Sequence, residues 1–209
     1  MRCVIIAGSP DVDIEFISAT VCENDYVICA DKGFEYAQKA GVKPDLVVGD
    51  FDSYNKNCFE NYETIRLDSH KDDTDTMHSI DIALERGYKN ILILGAIGGR
   101  FDHTFANVSA LQYINNKGAK GLLLSKSERI EFLSQGEYCY DGYNGKTFSL
   151  FPFGCSQTAV TYSNVEYPLD NYSLKSSIPM GVSNVFTSDK SVVKINDGNA
   201  IFIINLSRK

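Results

Sequence analysis

The sequence contains no Cys-x-x-Cys pair, no surplus of basic residues and no apolar run long enough to form a membrane-spanning helix. A helix that crosses a bilayer needs about 20 apolar residues in succession, so we expect no membrane partner. Asp and Glu number 27 against 20 Lys and Arg, and the net charge of −7 argues against a nucleic-acid-binding surface. The six cysteines show no zinc-like spacing, which favours reduced thiols in a cytoplasmic protein.

Two common nucleotide-binding motifs are also missing. The chain has neither the G-x-G-x-x-G fingerprint of dinucleotide-binding folds nor the G-x-x-x-x-G-K-[ST] sequence of a P-loop. An acidic protein without these motifs would have to bind phosphate locally, through a metal ion and a few well-placed basic residues.

Strand-like and helix-like segments alternate through the first half of the chain. Short runs rich in Val, Ile and Leu predict buried strands, and apolar residues at helical spacing separate them. The clearest helix covers residues 74–86, with Thr74 or Asp73 as its N-cap and Gly87 beyond its end. Strands are predicted at 3–7, 26–30, 46–48, 91–94 and 122–124, with a possible strand at 64–67 and further helices at 14–21, 34–40 and 105–114. This alternation predicts βαβ units and a parallel sheet.

The pattern changes after Ser125. Apolar segments become short and alternating, and Gly, Asn, Asp and Pro separate them, at 130–133, 147–151, 159–162, 192–195 and 200–204. This pattern predicts an antiparallel sandwich or barrel. The predicted fold class is α/β, with a parallel-sheet αβα domain over residues 1–127 followed by an antiparallel β-sandwich domain over residues 128–209.

Three acidic clusters follow predicted strands of the first half, at residues 49–53 (GDFDS), 71–75 (KDDTD) and 98–103 (GGRFDH). A fourth polar loop, at residues 31–33 (DKG), ends the second predicted strand. Loops that follow parallel strands emerge along one edge of the sheet, where such folds bind ligands. Carboxylates gathered there repel one another unless a cation lies between them, and Mg²⁺ that carries nucleotide phosphates is the usual partner.

Each cluster has a purely structural interpretation when it is taken alone. Asp50 and Asp52 are common turn residues, and Asp72 and Asp75 complement the dipole of the helix that they enter. The two glycines before Arg100 precede a helix, where backbone N–H groups and a guanidinium favour an anion. The occurrence of four such loops on one edge favours a phosphate-binding site.

The ordered motifs resemble those of the thiamine pyrophosphokinase family over nearly the whole chain. They are residues 30–33 (ADKG), 43–53 (KPDLVVGDFDS), 71–75 (KDDTD) and 98–107 (GGRFDHTFAN), followed by 167–169 (YPL) and 181–186 (GVSNVF), which resemble the family's thiamine-side motifs. The resemblance implies an ATP- and Mg-binding catalytic domain followed by a thiamine-binding domain. It also implies a homodimer with active sites at the interface, and transfer of the diphosphoryl unit of ATP to the hydroxyethyl oxygen of thiamine, with AMP as the second product.

Matching motifs also imply roles for individual residues. The implied metal ligands are Asp50, Asp52, Asp72 and Asp75. The implied catalytic residues are Asp72, Asp75 and Asp102, with Asp72 or Asp102 as the base that takes the hydroxyl proton. The implied nucleotide-binding residues are Asp31, Gly33, Lys71, Thr74, Arg100, Asp102, His103 and Asn107. Ser183 and Asn184 are implied to contact thiamine.

Two departures from the family pattern concern the thiamine side. Val185 stands where the family often has an acidic residue, and the chain has no Trp, although an aromatic ring commonly stacks on the thiamine pyrimidine in this family. A Tyr or Phe would offer a flat ring instead. The alternatives left open are a pyrophosphokinase for another alcohol such as a pterin, a nucleotide-sugar transferase or phosphohydrolase that uses Asp-x-Asp, and a catalytically dead nucleotide or thiamine sensor.

Overall fold

The computed structural model describes residues 1–50, 61–67 and 73–207. The chain forms two compact units, Met1–Lys126 and Ser127–Lys209. Within the described ranges, none of the helices is long and apolar enough to cross a membrane.

The first unit contains a parallel sheet, as the alternating pattern predicts. Its elements are β1 (Cys3–Ile6), α1 (Ile14–Thr20), β2 (Tyr26–Ala30), α2 (Gly33–Lys39), β3 (Leu46–Gly49), β4 (Glu63–Arg66), α3 (Asp75–Glu85), β5 (Asn90–Leu94), α4 (Phe101–Asn116) and β6 (Lys120–Leu124). The strand order is β6-β5-β1-β2-β3-β4, and each neighbouring pair is parallel. Strands β1, β3 and β5 are almost fully buried because their side chains are apolar, which stabilises the sheet from both faces.

The order of the strands creates a crevice at one position. The chain moves outward from β1 through β2, β3 and β4, and then returns to the other side of β1 with β5 and β6. In open α/β sheets the ligand crevice forms at the carboxyl ends of the strands where the direction reverses. For this unit that position is the pair β1 and β5.

Local sequence signals explain the start and end of α3, which leads away from this edge. The Thr74 hydroxyl accepts a hydrogen bond from the Met77 N–H at 3.2 Å, so Thr74 is the N-cap that the sequence predicts. Gly87 follows the helix with a φ of 84°, a left-handed conformation that glycine adopts without strain. The cap at Thr74 sets where α3 begins, and so places residues 73–76 at the carboxyl edge of the sheet.

The second unit contains two antiparallel sheets. Its strands are β7 (Glu128–Leu133), β8 (Gly136–Asp141), β9 (Thr147–Pro152), β10 (Gln157–Ser163), β11 (Leu169–Lys175), β12 (Asn184–Val185), β13 (Lys190–Asp197) and β14 (Ala200–Asn205). One sheet has the order β12-β9-β14-β7 and the other β11-β10-β13-β8. Residues of both sheets share one core, in which Phe148, Phe186 and Phe202 are buried against Tyr140 and Tyr162. The antiparallel pairing is confirmed, but the sequence patterns missed β8, β11 and β12.

A partly buried ion pair joins Arg2, the residue before β1, to Asp25 in the turn before β2. The Asp25 carboxylate accepts hydrogen bonds from Arg2 Nε at 2.9 Å and from the Cys22 N–H at 2.8 Å, and its side chain is only 6% exposed. Burial acts to raise the pKa of Asp25, but the hydrogen bonds and the charge of Arg2 outweigh burial and lower it. The pair therefore contributes stability above the unfolded-state pKa of about 3.9 and loses it as the pH falls through the lower folded-state pKa.

Asp25→Ala is expected to lower the free energy of unfolding at pH 7 by about 2 kcal/mol, because it removes several hydrogen bonds to a charged group. Urea denaturation at pH 7 and below pH ~4 measures the effect, and the difference from wild type should shrink at the lower pH. Glu23→Ala is the control, since Glu23 is an exposed carboxylate of the same turn. A difference between Asp25→Ala and wild type that grows in acid would contradict this interpretation.

Candidate active site

A cavity of about 580 Å³ lies at the carboxyl edge of the parallel sheet. Its walls come from the loops after β1, β2 and β5 and from the first residues of α3 and α4, at the predicted crevice. This volume is typical of small-molecule sites. The lining residues are Ala7, Gly8, Ser9, Pro10, Ala30, Asp31, Lys32, Tyr36, Asp73, Thr74, Asp75, Thr76, Gly95, Ala96, Gly98, Gly99, Arg100, His103 and Asn107.

The structure brings together most of the described residues that the sequence singles out. Six of them line the cavity: Asp31, Thr74, Asp75, Arg100, His103 and Asn107. Of the other described candidates in the first unit, Gly33, Asp50 and Asp102 are not part of its lining. Asp52, Lys71 and Asp72 lie outside the described residues.

Two other carboxylates, Asp50 after β3 and Asp75 at the start of α3, act on Asp31 at this edge. Asp31 follows β2 with a φ of 49°, and its backbone N–H donates to the Val48 carbonyl at 3.0 Å. Asp31 is solvent-exposed, yet the cavity wall removes part of the hydration of its carboxylate. This burial raises the pKa of Asp31, and the charges of Asp75 and Asp50 raise it further, against the lowering effect of the Lys32 N–H.

A cation would relieve this repulsion, and the oxygen-only set of carboxylates suits a hard ion such as Mg²⁺. The described part of the chain contains no group of three or more Asp, Glu, His or Cys residues arranged to hold a metal ion. Two of the four predicted ligands, Asp52 and Asp72, fall outside that part. Within the described residues, the raised pKa of Asp31, to which the charges of Asp75 and Asp50 contribute, is the observation that favours a cation at this edge.

Gly33 is not part of the cavity lining and has a packing role. It is the first residue of α2 and is buried, and a Cβ atom at this position would be only 1.8 Å from the Ile6 carbonyl oxygen. Absence of a side chain therefore allows α2 to approach the backbone of β1. This contact explains the glycine without a ligand.

The glycine pair before α4 differs from the anion-binding turn that the sequence predicts. The Gly98 N–H donates to the Thr104 hydroxyl at 3.1 Å, and the Gly99 N–H donates to Asp11 Oδ2 at 2.6 Å. Both N–H groups are thus engaged by side chains of the same chain. The expectation that they are available to an anion is wrong for this conformation.

Arg100 is likewise paired within its own segment. Its guanidinium donates to Asp102 through Nε at 3.1 Å and through Nη2 at 2.5 Å. The hydrogen bond from Arg100 lowers the pKa of Asp102, which makes this carboxylate a weaker base. In this conformation Asp102 orients the Arg100 side chain.

Asn107 fixes the shape of the cavity wall from within α4. It is 9% exposed, and its Nδ2 donates to the Ala96 carbonyl at 2.8 Å. One side of its amide therefore ties α4 to the loop after β5.

The predicted thiamine-side residues lie in the second unit and differ in their surroundings. Ser183 is exposed with a φ of 60°, and its N–H donates to the Ser149 hydroxyl at 3.1 Å. Asn184 is 8% exposed and binds both the N–H and the carbonyl of Tyr167, at 3.0 and 2.8 Å. Its amide accordingly holds the backbone of Tyr167, whose side chain is 61% exposed.

One wall of the cavity, the loop after β1, contains none of the residues predicted from the sequence. Gly8, Ser9 and Pro10 of this loop line the cavity. Tyr36 of α2, which was also not predicted, lines it too. A Gly-Ser-Pro sequence directly behind the first predicted strand was the available signal, because that strand ends on the same edge. No acidic residue of a recognised motif marks it.

Two family models match this chain in succession. The model described as "Thiamin pyrophosphokinase, catalytic domain" matches residues 18–123. The model described as "Thiamin pyrophosphokinase, vitamin B1 binding domain" matches residues 134–201.

Individual relatives and a solved structure agree with these matches. The chain is 29% identical over 205 residues to thiamine pyrophosphokinase of Bacillus subtilis, covering 95% of this chain and 96% of the relative. It is 27% identical over 173 residues to thiamin pyrophosphokinase 1 of Caenorhabditis elegans, covering 78% of this chain and 70% of the relative. The crystal structure of the Bacillus subtilis thiamine pyrophosphokinase superposes with a TM-score of 0.89 at 26% identity, covering 100% of both chains. From its matched domains and its fold, the chain belongs to the thiamin pyrophosphokinase family.

Proposed function

We propose that this chain transfers the diphosphoryl group of ATP to the hydroxyethyl oxygen of thiamine, giving thiamine diphosphate and AMP. The observation that carries the proposal is the match of one chain, in order, to the catalytic and the vitamin B1 binding domains of a single enzyme family. The cavity at the carboxyl edge supports it, because its carboxylates and Arg100 suit a metal-bound polyphosphate.

The acidic edge is the proposed metal site. Asp50, Asp52, Asp72 and Asp75 would hold Mg²⁺, and Asp31 would add negative charge beside them. Bound there, Mg²⁺ would offset the charge of the transferred phosphates.

Residues of the cavity would hold the nucleotide and orient it for transfer. Thr74, Arg100, His103 and Asn107, which line the cavity, are the polar residues that we propose to contact the nucleotide. Lys71 is proposed beside them from its motif alone. Attack by the thiamine oxygen on the β-phosphorus forms the new P–O bond and breaks the bond to the α-phosphate oxygen, which leaves with AMP. The hydroxyl proton passes to a carboxylate, for which we propose Asp72, because Asp102 is paired with Arg100.

The second unit would supply the thiamine side. Ser183 and the exposed Tyr167 ring are the groups that we propose to contact thiamine, and Asn184 would hold Tyr167 in place. A flat ring suits the pyrimidine, and the acidic surroundings suit the cationic thiazolium. We further propose a homodimer with residues of both chains at each site, and a cytoplasmic location, which the free state of the five described cysteines supports.

A product assay tests the function. Purified protein is incubated with ATP, Mg²⁺ and thiamine, and nucleotides and thiamine esters are separated by chromatography. We expect AMP and thiamine diphosphate in equal amounts, with both abolished by EDTA. ADP with thiamine monophosphate would contradict the proposed transfer. Turnover with a pterin alcohol but not with thiamine would instead indicate a pyrophosphokinase for that alcohol. Ligand binding without turnover would indicate a nucleotide or thiamine sensor.

A further inference from the structure

The loop after β1, residues 8–11, is joined to the loop after β5, residues 95–100, by a set of specific hydrogen bonds. We call these segments the β1 loop and the glycine turn. The Ser9 N–H donates to the Gly95 carbonyl at 2.8 Å, and the Ser9 hydroxyl donates to the Ile97 carbonyl at 2.8 Å. Asp11 accepts from the Gly99 N–H at 2.6 Å. The two loops therefore form one wall of the cavity.

Close packing makes the shape of the glycine turn depend on the β1 loop. Gly98 and Gly99 have φ values of 103° and 65°, which a residue with a side chain rarely adopts. A Cβ atom on Gly98 would be 2.5 Å from Asp11 Oδ2, and one on Gly99 would be 2.7 Å from the Pro10 ring. The β1 loop thus lies directly against the turn and holds it from one side.

The glycine turn carries Arg100 and leads into α4, whose first turn contains His103. Arg100 is the N-cap residue of α4, but its side chain makes no capping hydrogen bond. The two glycines before Arg100 are instead held through their N–H groups, Gly98 by the Thr104 hydroxyl of the helix and Gly99 by Asp11 of the β1 loop. Any shift of the turn moves both Arg100 and His103 relative to the cavity.

We propose that Asp11 is a positioning residue for nucleotide binding. It acts through the Gly99 N–H, which it holds so that the turn presents Arg100 and His103 to the cavity. Its role is to accept this hydrogen bond, which an amide oxygen also does, so the negative charge of Asp11 is dispensable. The inference rests on the proposed function, because it names ATP as the ligand that the turn positions.

The test compares Asp11→Ala with Asp11→Asn in steady-state kinetics. Asp11→Ala is expected to raise the KM for ATP roughly tenfold, because the hydrogen bond that holds the Gly99 N–H is lost, and to leave the KM for thiamine within about twofold of wild type. Asp11→Asn should restore the KM for ATP to within about threefold of wild type. Ser9→Ala, which removes one neutral hydrogen bond of the same wall, should raise the KM for ATP by a smaller factor, about threefold.

Glu85→Ala is the matched control for loss of an exposed carboxylate. Glu85 lies at the end of α3 opposite Thr74 and Asp75, about 15 Å along the helix axis. Its kinetic constants should equal those of wild type. Thermal unfolding of each variant identifies any that is not folded.

Two outcomes would overturn the proposal. An unchanged KM for ATP in Asp11→Ala would show that the turn does not need this hydrogen bond, and an Asp11→Asn variant as impaired as Asp11→Ala would show that charge is the property that matters. The amide proton of Gly99, followed by NMR in wild type and in both variants, provides a readout that needs no turnover. A wild-type protein that makes no AMP would overturn the proposed function alone, while the Gly99 resonance would still decide whether Asn replaces Asp as the acceptor.

Discussion

Replacing Asp75 by asparagine is expected to lower kcat by roughly 10²- to 10³-fold, a loss typical of removing one electrostatic group that stabilises the transition state. Asp75 lies in the cavity lining at the first turn of α3, and its charge helps to raise the pKa of Asp31. Asparagine keeps the size of the side chain but removes the charge that would hold the cation. The same loss is expected for Asp72→Asn. Steady-state assays of AMP formation at saturating thiamine measure it.

Stability should change little in Asp75→Asn, by about 0.5 kcal/mol, because the lost interaction with the dipole of α3 is worth only that much. The matched control is Glu85→Gln, which removes the same charge at the other end of the same helix and should keep wild-type turnover. Near-wild-type kcat in Asp75→Asn would remove this carboxylate from the mechanism. A large loss in Glu85→Gln would mean that net charge, and not the position of Asp75, controls the rate.

Gly33→Ala is expected to destabilise the protein by about 4 kcal/mol or more, in the range seen only for severe steric conflicts. The added Cβ would meet the Ile6 carbonyl oxygen at 1.8 Å and its carbon at 2.6 Å. Both are backbone atoms of a fully buried strand, so neither yields without separating α2 from β1. Urea denaturation, or the yield of soluble protein if the variant does not fold, measures the effect.

Gly41→Ala is the control for this prediction. Gly41 follows α2 with a φ of 69° and has open space around the position of a Cβ atom, so only the backbone conformation is strained. A cost of about 1 kcal/mol is expected there. Equal stability losses in the two variants would contradict the packing role of Gly33.

The central strands of the parallel sheet were predictable because they are apolar on both faces. All of β1, and all of β5 except Asn90, is buried, and a continuous apolar run between helical segments is the direct signature of such strands. Strand β11 was not predictable in this manner. Five of its seven residues, Asp170–Ser173 and Lys175, are exposed, so its sequence carries no apolar alternation. Its place in the sheet depends on pairing with β10.

The position of the cavity was predictable for a topological reason. Loops after parallel strands share one edge, so Asp31, Asp75 and Arg100 had to lie near one another once the sheet was inferred. The hydrogen bonds within the site were not predictable. Asp11 and Gly99 are 88 residues apart, and no local pattern indicates that one accepts from the other.

The same limit applies to the second unit. The motif that contains Asn184 was recognisable, but the binding of its amide to the backbone of Tyr167 joins residues 17 positions apart. Whether a polar side chain faces a ligand or its own chain is decided by such contacts. Sequence motifs therefore located the site, and the structure distinguishes residues that face the cavity from residues that support them.

The central claim is that the carboxylate edge of the first unit binds the nucleotide through a cation. Calorimetric titration with α,β-methylene-ATP, in which the bond that breaks is replaced by a stable one, tests it without turnover. We expect Mg²⁺ to tighten binding to the wild type by at least about tenfold and to have little effect on binding to Asp75→Asn. An equal effect of Mg²⁺ on both proteins, or none on the wild type, would contradict the claim.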